Sequence, residues 1–220
     1  MRLDLGHTGS NDWREVLPHD GSALLLASWL ENPQADEMLR QLLDEVPWQS
    51  HDLVLFGKKM TEPRLSAWVG DEGVSYTYSG VRRVPGAWTR TLTELRHLCE
   101  STLASVFPDV GFNSVLANLY RSGDDSMGWH ADDESELGPT PVIASVSFGD
   151  ERRFDFRHRA SGETVSVPLP HGSLLVMSGA TQMHWKHRLA KTKASRFPRV
   201  NLTYRRVHAS RSATTPRTVT

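Results

Sequence analysis

The chain has 220 residues and a net charge of −1, with 38% hydrophobic and 23% charged residues, which fits one soluble globular domain. Its longest apolar run, residues 23–27, is far too short to span a bilayer, and no export signal is visible at the start. The single cysteine, Cys99, excludes an intrachain disulfide, so a cytoplasmic or nuclear location is expected.

The charges are divided unevenly along the chain. All 26 acidic residues lie at or before Glu163, whereas residues 164–220 carry ten Lys and Arg and no acid. Such asymmetry suggests one basic face, of the kind that meets nucleic acid. The alternative is a basic C-terminal segment that folds beside an acidic one and neutralises it. Charge alone does not separate the two.

Two helices are predicted in the first half of the chain. Residues 1–20 are polar and are predicted to be flexible. Asn32 and Pro33 then have the character of an N-cap and a first helical residue, which predicts a helix to about residue 46. Residues 53–80 suggest strands and loops. Thr91 and Glu94 suggest a capping box for a second helix that ends before Pro108.

After Gly111 the pattern changes to short strands separated by turns. Many short strands at this spacing favour a sandwich or barrel, here with two helices before it. The tail, residues 208–220, is rich in Ser, Thr and Arg and is predicted to be disordered. The predicted strands are residues 114–120, 142–148, 153–158, 164–169, 173–177 and 199–207.

A candidate metal site begins at His130-Ala-Asp132. In an extended segment these two side chains point the same way, so an imidazole and a carboxylate could bind one metal ion. The motif alone is weak, because the neighbouring acids make a solvated loop an adequate explanation. A third ligand could come from His184 or His187, between which the sequence does not decide. Two histidines and one carboxylate leave open positions and are typical of non-haem Fe(II) oxygenases.

A candidate anion site follows on the last predicted strand. Arg199, Asn201, Thr203 and Arg205 alternate with apolar residues and share one face. Such a face usually meets solvent, but in a barrel it can line a ligand cavity, where the planar fork of arginine suits a carboxylate. On another predicted strand, Asn118 and Tyr120 also share a face and could converge on the same ligand.

At these residues the chain resembles the AlkB family of Fe(II)- and 2-oxoglutarate-dependent nucleic-acid demethylases. The resemblance runs from about residue 55 to residue 207. The segments that carry it are Asn-Leu-Tyr-Arg (118–121), His-Ala-Asp-Asp-Glu (130–134), Ile-Ala-Ser-Val-Ser-Phe-Gly (143–149), His-Gly-Ser-Leu-Leu-Val-Met (171–177), His-Trp-Lys-His (184–187) and Pro-Arg-Val-Asn-Leu-Thr-Tyr-Arg (198–205).

This resemblance implies a fold and a domain layout. The expected fold is α+β and mostly β, a double-stranded β-helix (jelly roll) with N-terminal helices packed on one sheet. Residues 21–207 would form a single dioxygenase domain. Its substrate-recognition part would cover about residues 50–90 and its catalytic jelly roll about residues 111–207.

The resemblance also implies the roles of individual residues. His187 rather than His184 would be the third Fe(II) ligand, beside His130 and Asp132. The residues expected to hold 2-oxoglutarate are Asn118, Tyr120, Arg199, Asn201, Thr203 and Arg205. The upstream segment resembles the branch that acts on double-stranded DNA, with Phe56 on a hairpin that probes the duplex and Tyr78 and Asp133 at a flipped base. The full expected substrate-binding set is Phe56, Gly57, Lys58, Arg64, Tyr76, Tyr78 and Asp133.

The function implied is oxidative removal of N-methyl lesions, such as 1-methyladenine and 3-methylcytosine, from alkylated DNA in double or single strands. A monomer without membrane contact is expected. The first alternative is an oxygenase of the same fold that acts on RNA or on a protein. The second is a structural or hydrolytic zinc module, which has no use for Arg199 and Arg205 on a cavity face. The third is a nucleic-acid binder without catalysis, which would not need His187.

Overall fold

The structure is a computed structural model that describes residues 12–55, 58–74, 76–78, 81–83, 85–194 and 197–208, and only the backbone at 53–55, 58–59, 76–78 and 81–83. The helices are α1 (Asn32–Glu45), α2 (Arg90–Leu103) and the short α3 (Thr181–His184), with a 3-10 turn at Ser135–Leu137. The strands are β1 (Arg14–Glu15), β2 (Ser22–Leu26), β3 (Asp52–Leu55), β4 (Lys58–Thr61), β5 (Leu65–Gly70), β6 (Tyr76–Tyr78), β7 (Val81–Arg83), β8 (Ser114–Tyr120), β9 (Met127–His130), β10 (Ile143–Gly149), β11 (Arg152–His158), β12 (Thr164–Leu169), β13 (Ser173–Ser178), β14 (Trp185–Leu189) and β15 (Arg199–Arg205).

Two antiparallel sheets form the body of the protein. The larger has seven strands in the order β1-β2-β13-β10-β15-β8-β5, and the smaller has four in the order β12-β11-β14-β9. Two separate hairpins, β3-β4 and β6-β7, precede α2 in the chain. Neighbours in the sheets are often distant in sequence, as expected for a jelly roll. The prediction of a mostly β jelly-roll fold is therefore confirmed.

The seven-stranded sheet is buried on both faces. One face packs with α1 and α2 into the larger apolar core, which contains Met38, Leu92 and Val146. The other face meets the four-stranded sheet in a second core, which includes Leu175 and Trp185. Because both faces are covered, β15 is buried along its whole length, and its polar side chains lie inside the protein.

The helix N-termini differ from the sequence prediction by one or two residues. Glu31 is the N-cap of α1, and Asn32 is already helical. The N-cap of α2 is Thr89, whose side chain accepts a hydrogen bond from the Leu92 backbone N–H. Thr91, predicted as the cap, instead donates through its hydroxyl to side chains of α1. Thr91, which the local pattern assigned to capping, is thus used in the contact between α2 and α1.

Residues 12–20 differ from the predicted flexible N-terminal segment. Strand β1 pairs with β2, and Leu17 is buried in the core between the sheets. The indole N–H of Trp185 donates to the backbone oxygen of His19 at 3.0 Å. Residues 1–11 and 209–220, which include nearly all of the predicted disordered tail, lie outside the described residues. Within the described residues, none of the helices is both long and apolar enough to span a bilayer.

Gly149 ends β10 in a conformation that a side chain would not tolerate. Its φ is +83°, and an added Cβ would lie 2.2 Å from the Pro198 backbone oxygen. We expect Gly149→Ala to lower the free energy of unfolding by more than the roughly 1–3 kcal/mol that left-handed backbone strain costs alone. Urea denaturation measures this. Gly73, with φ +82° and nothing within 4 Å of an added Cβ, provides the matched control. Equal losses in the two alanine variants would show that the contact with Pro198 is unimportant.

Candidate metal centre and cosubstrate pocket

Strand pairing brings two distant histidines together. β14 pairs antiparallel with β9 so that His187 lies opposite His130, and their ring centroids are 4.2 Å apart. Asp132 follows β9 by two residues, with its backbone N–H bonded to the Gln182 side chain at 2.9 Å. One ligand atom from each of His130, Asp132 and His187 can be chosen so that all three lie within 4.8 Å of one another.

The protonation states of this cluster suit metal binding. Burial lowers the pKa of His187 to about 3, with a further lowering by His130. Burial also lowers the pKa of His130, against the attraction of Asp132. For Asp132, burial alone would raise the pKa, but Arg205 and the two histidines outweigh it and bring the pKa to about 2. Two neutral imidazoles and one carboxylate are the protonation states that metal ligands need.

The hydrogen bonds around the cluster leave ligand atoms available. The His130 Nδ1–H donates to the Gly128 backbone oxygen at 2.9 Å, which leaves the Nε2 lone pair free to coordinate. Asp132 Oδ1 accepts from Arg205 Nη2 at 2.7 Å, whereas the buried Oδ2 atom has no hydrogen-bond partner among the described residues. An orphaned buried carboxylate oxygen is costly unless a ligand satisfies it. The donor set therefore fits Fe(II) with open coordination positions.

The structure separates the candidate histidines. His184 ends α3, and its ring stacks on His158 rather than joining the metal cluster. His171 lies in the turn before β13, where its Nδ1 accepts from the Gly149 backbone N–H. Of the two candidates for the third ligand, His187 lies with His130 and Asp132 and His184 does not.

The polar face of β15 lines a pocket beside the metal cluster. β15 pairs with β8 so that Arg199 lies opposite Tyr120 and Asn201 opposite Asn118. The two faces predicted to converge therefore do so. The pocket is lined by Leu116, Asn118, Tyr120, Met127, His130, Asp132, Ser145, Phe154, Met177, His187, Leu189, Arg199, Asn201, Thr203 and Arg205.

Arg199 lies at this pocket as a buried cation, and no acidic side chain among the described residues pairs with it. Its side chain donates to Ser147 Oγ at 2.9 Å, and its Nε has no hydrogen-bond partner among the described residues. Burial lowers its pKa to about 10, against the opposing effect of Tyr120, so it remains charged at neutral pH. Leaving a charge buried and unpaired costs several kcal/mol, roughly 3–5 by measurements on broken ion pairs. A bound carboxylate would remove that cost.

The sequence did not single out the serines that orient this face. Ser147 contacts Arg199, and Ser145 Oγ accepts from the Asn201 side-chain amide at 2.9 Å. Both serines lie on β10 opposite β15. Ser145 and Ser147 are two residues apart in the predicted strand 142–148, and this spacing could have indicated that they share one face. Which strand paired with which was not predictable from local pattern.

Arg64 was predicted to bind substrate, but the structure buries it behind the cosubstrate pocket. Its Nη2 is 2.9 Å from Glu62 Oε2, and its Nε donates to Asn118 Oδ1 at 2.8 Å. All three side chains are buried. Arg64 is therefore placed to orient Asn118 rather than to meet a large substrate at the surface.

The other predicted substrate residues are described unevenly. Phe56 and Gly57 lie outside the described residues, and Lys58, Tyr76 and Tyr78 are described only by their backbone in β4 and β6. Asp133 is exposed, and its Oδ2 lies 2.6 Å from Arg159 Nη2. Asp133, which was expected to contact the flipped base, is thus already paired with Arg159.

Comparison with known proteins agrees with this geometry. The family model described as the 2OG-Fe(II) oxygenase superfamily matches residues 22–205. Human alpha-ketoglutarate-dependent dioxygenase alkB homolog 3 is 40% identical over 194 residues, which are 84% of this chain and 65% of that protein. Mouse DNA oxidative demethylase ALKBH2 is 40% identical over 214 residues, 92% of this chain and 87% of that protein. The corresponding human protein is 38% identical over 213 residues, 92% of this chain and 79% of its own length.

The chain spans about two thirds of the alkB homolog 3 proteins and most of the mammalian ALKBH2 proteins that it matches. The family match covers both the histidine–aspartate cluster and the arginine strand. The chain belongs to the 2OG-Fe(II) oxygenase superfamily and, within it, to the family of AlkB homologues.

Proposed function

We propose that this protein is a DNA repair dioxygenase that removes N-methyl lesions, such as 1-methyladenine and 3-methylcytosine, from flipped bases. The observation that carries the proposal is the His130–Asp132–His187 cluster next to the buried Arg199, which has no acidic partner among the described residues. Its relatives named as dioxygenases and as DNA oxidative demethylases support the same reaction class.

The protein residues position the reaction. His130, Asp132 and His187 would hold Fe(II), and Arg199 would bind the distal carboxylate of 2-oxoglutarate. When bound, the iron and 2-oxoglutarate supply the oxidation of the methyl group by dioxygen, with succinate, carbon dioxide and formaldehyde as products. Arg205 holds Asp132 in place through the 2.7 Å hydrogen bond to Oδ1, which leaves Oδ2 for the metal.

The proposed target requires base flipping. A methyl group on the Watson–Crick edge is hidden in the duplex, so the base must leave the stack. Flipping costs a few kcal/mol and less when methylation already prevents pairing, which favours the lesion before any contact forms. Tyr78 is the proposed stacking partner, an interaction of about 1–3 kcal/mol per base. Asp133 is the proposed acceptor for the exocyclic amine, and a cationic methylated base would compete with Arg159 for its negative charge.

Basic and aromatic side chains lie on the strands that carry the two histidines of the metal cluster and on the neighbouring strand β11. Trp129, the residue before His130, is in contact with two guanidinium groups, with Arg157 Cζ at 4.2 Å and Arg188 Cζ at 4.4 Å from its ring centroid. Lys186, Lys191 and Lys193 are exposed on and after β14. Cationic groups at such positions can contact phosphates and orient DNA without reading its sequence. The basic C-terminal part of the chain therefore supports a nucleic-acid substrate.

Phe56 is the proposed duplex probe, and its replacement separates the substrate classes. We expect Phe56→Ala to reduce demethylation of double-stranded DNA by about tenfold, because flipping from a duplex carries the unstacking cost that a probe residue offsets. Activity on single strands should change little. The assay is formaldehyde release from one methylated oligonucleotide, alone and annealed.

Met60, in β4 of the same hairpin and 52% exposed, provides the matched control through Met60→Ala. That variant should retain activity on both substrates. Equal loss on both substrates with Phe56→Ala, or no loss on either, would argue against the duplex probe.

A substrate panel tests the proposed function itself. The protein is loaded anaerobically with Fe(II) and 2-oxoglutarate, then given oxygen with oligonucleotides that carry 1-methyladenine or 3-methylcytosine. DNA and RNA versions, single- and double-stranded, are compared by formaldehyde yield. We expect the methylated DNA substrates to give the highest yields. A preference for RNA would indicate the alternative oxygenase of the same fold, and no yield from any oligonucleotide would point to a protein substrate.

A further inference from the structure

A second cluster of metal-ligating side chains lies outside the iron site. It joins His19 and Asp20, just before β2, to His158 at the end of β11. One ligand atom from each of the three can be chosen so that all lie within 4.8 Å of one another. None of these residues lines the cosubstrate pocket, and nothing in the proposed reaction uses them.

The distances within the cluster approach those of a tetrahedral zinc site. Asp20 Oδ2 lies 3.1 Å from His19 Nδ1 and 3.3 Å from His158 Nε2. Zinc bonds of about 2.0–2.1 Å in tetrahedral geometry place neighbouring ligand atoms about 3.3 Å apart. The carboxylate oxygen therefore already has nearly the separation from both imidazole nitrogens that a shared metal ion requires.

His158 contributes an independent sign of a missing ligand. Its side chain is only 7% exposed, yet its Nε2 forms no hydrogen bond of acceptable geometry with any described residue. The ring is fixed by a 2.9 Å contact between Nδ1 and Ser161 Oγ and by the neighbouring rings of Trp185 and His184. The Ser161 backbone N–H donates to Nδ1 at 3.2 Å, so Nδ1 accepts in this arrangement. A metal ion at Nε2 would require the other tautomer, in which the Nδ1–H donates to Ser161 Oγ and the Nε2 lone pair faces the Asp20 side.

His19 has the partner that a metal-bound histidine commonly has. Its Nδ1 faces Asp20, and its Nε2 lies 2.9 Å from Glu163 Oε2. A carboxylate that accepts from the second ring nitrogen orients the imidazole and increases its basicity as a ligand. Asp20 itself has φ +51°, an uncommon conformation for a residue other than glycine, which places its side chain between the two histidines.

We propose that His19, Asp20 and His158 form a structural site for a zinc-type divalent cation, with Glu163 orienting His19. Two histidines and one aspartate are ligands that zinc accepts, with a water in the fourth position. The ion would tie residues 12–20 to the end of β11 beside β14, the strand that carries His187. Its role is to anchor the N-terminal segment and not to take part in oxidation.

Zinc titration of a variant that lacks the iron ligands tests this site directly. His130→Ala/His187→Ala removes the competing site, and the tag-free, chelator-treated full chain is titrated calorimetrically with Zn²⁺. We expect one equivalent to bind and the melting temperature to rise with Zn²⁺. Adding Asp20→Asn or His19→Gln should weaken binding by at least about tenfold and remove the rise in melting temperature. Co²⁺ should give the visible absorption bands of tetrahedral coordination in the parent and not in these variants.

The controls use groups of the same type outside the cluster. His97→Gln and Asp124→Asn change an exposed histidine and an exposed aspartate, and both should bind Zn²⁺ like the parent. Asp20 and His19 have side chains 52% and 43% exposed, so their conservative variants should fold even if changes at the buried His158 prevent folding. Absence of Zn²⁺ binding in the parent would overturn the proposal. So would one equivalent bound equally well after Asp20→Asn and His19→Gln, because the cluster would then be an ordinary set of ion pairs.

Discussion

His187→Ala is expected to abolish formaldehyde release from methylated DNA and to weaken Fe(II) binding by at least about 100-fold. Loss of even an outer-shell partner costs metal sites about 10–100-fold, and here a direct ligand is removed. His130 and Asp132 alone would leave the ion with two protein ligands and more water. Turnover measured as formaldehyde, together with Fe(II) affinity measured anaerobically, gives both quantities.

His184→Ala is the matched control for this change. His184 lies three residues earlier in the chain but outside the metal cluster, with its ring stacked on His158. Its replacement should leave iron affinity and turnover within about threefold of the parent, because surface or near-surface changes away from a site usually have small effects. If both variants lost activity equally, the defect would come from folding of the 181–189 segment and not from ligation.

The second large effect is expected at Arg199. Arg199→Met should raise the KM for 2-oxoglutarate by about 100-fold or more, because removing one partner of a buried charge pair costs roughly 3–5 kcal/mol. The same change should stabilise the ligand-free protein, since it removes a buried cation that lacks a carboxylate partner in the described structure. An apolar replacement of a buried charge can add about 1–4 kcal/mol. We therefore expect a higher KM for 2-oxoglutarate, measured from succinate formation, together with a higher free energy of unfolding of the ligand-free protein, measured by urea denaturation.

Arg206→Met provides the comparison for Arg199→Met. Arg206 follows β15 directly, is exposed, and lies outside the cosubstrate pocket. In the Arg206→Met variant, neither the KM for 2-oxoglutarate nor the free energy of unfolding should change appreciably. A normal KM in Arg199→Met would mean that another cation binds the distal carboxylate. A loss of stability in that variant would mean that Arg199 serves mainly as packing.

The local pattern predicted six strands after Gly111 closely because turn residues delimit them, but it did not predict β9 and β14, which carry His130 and His187. Residues 114–120 and 164–169 were predicted with the bounds that the structure shows, and 199–207 with the correct alternation of faces. Glycines such as Gly149 and Gly172, both with positive φ, mark strand ends that a local pattern can show. Helix caps were less predictable, since Thr91 contacts α1 and leaves the capping position to Thr89.

The site required information that no local pattern contains. His130 and Asp132 were identifiable as a pair. Local pattern left His184 and His187 equivalent, the family resemblance favoured His187, and the short α3 and the pairing of β14 with β9 separate the two in the structure. The burial of a charged side chain was equally unpredictable from local pattern. Arg64 was expected among the substrate-binding residues, yet Glu62 pairs with it inside the protein and Asn118 accepts its hydrogen bond. The register between strands that are distant in sequence, and the pairing of buried charges, arise only when the sheet is assembled.

The most direct test of the central claim is the coupling between cosubstrate and substrate oxidation. Succinate and formaldehyde are measured in one reaction that contains Fe(II), 2-oxoglutarate, oxygen and an oligonucleotide with a single 1-methyladenine. We expect equal amounts of the two products, dependence on the methyl group, and loss of both products in His187→Ala. Succinate formed at the same rate with methylated and unmethylated DNA, without formaldehyde, would contradict the claim that the His130–Asp132–His187 centre demethylates DNA.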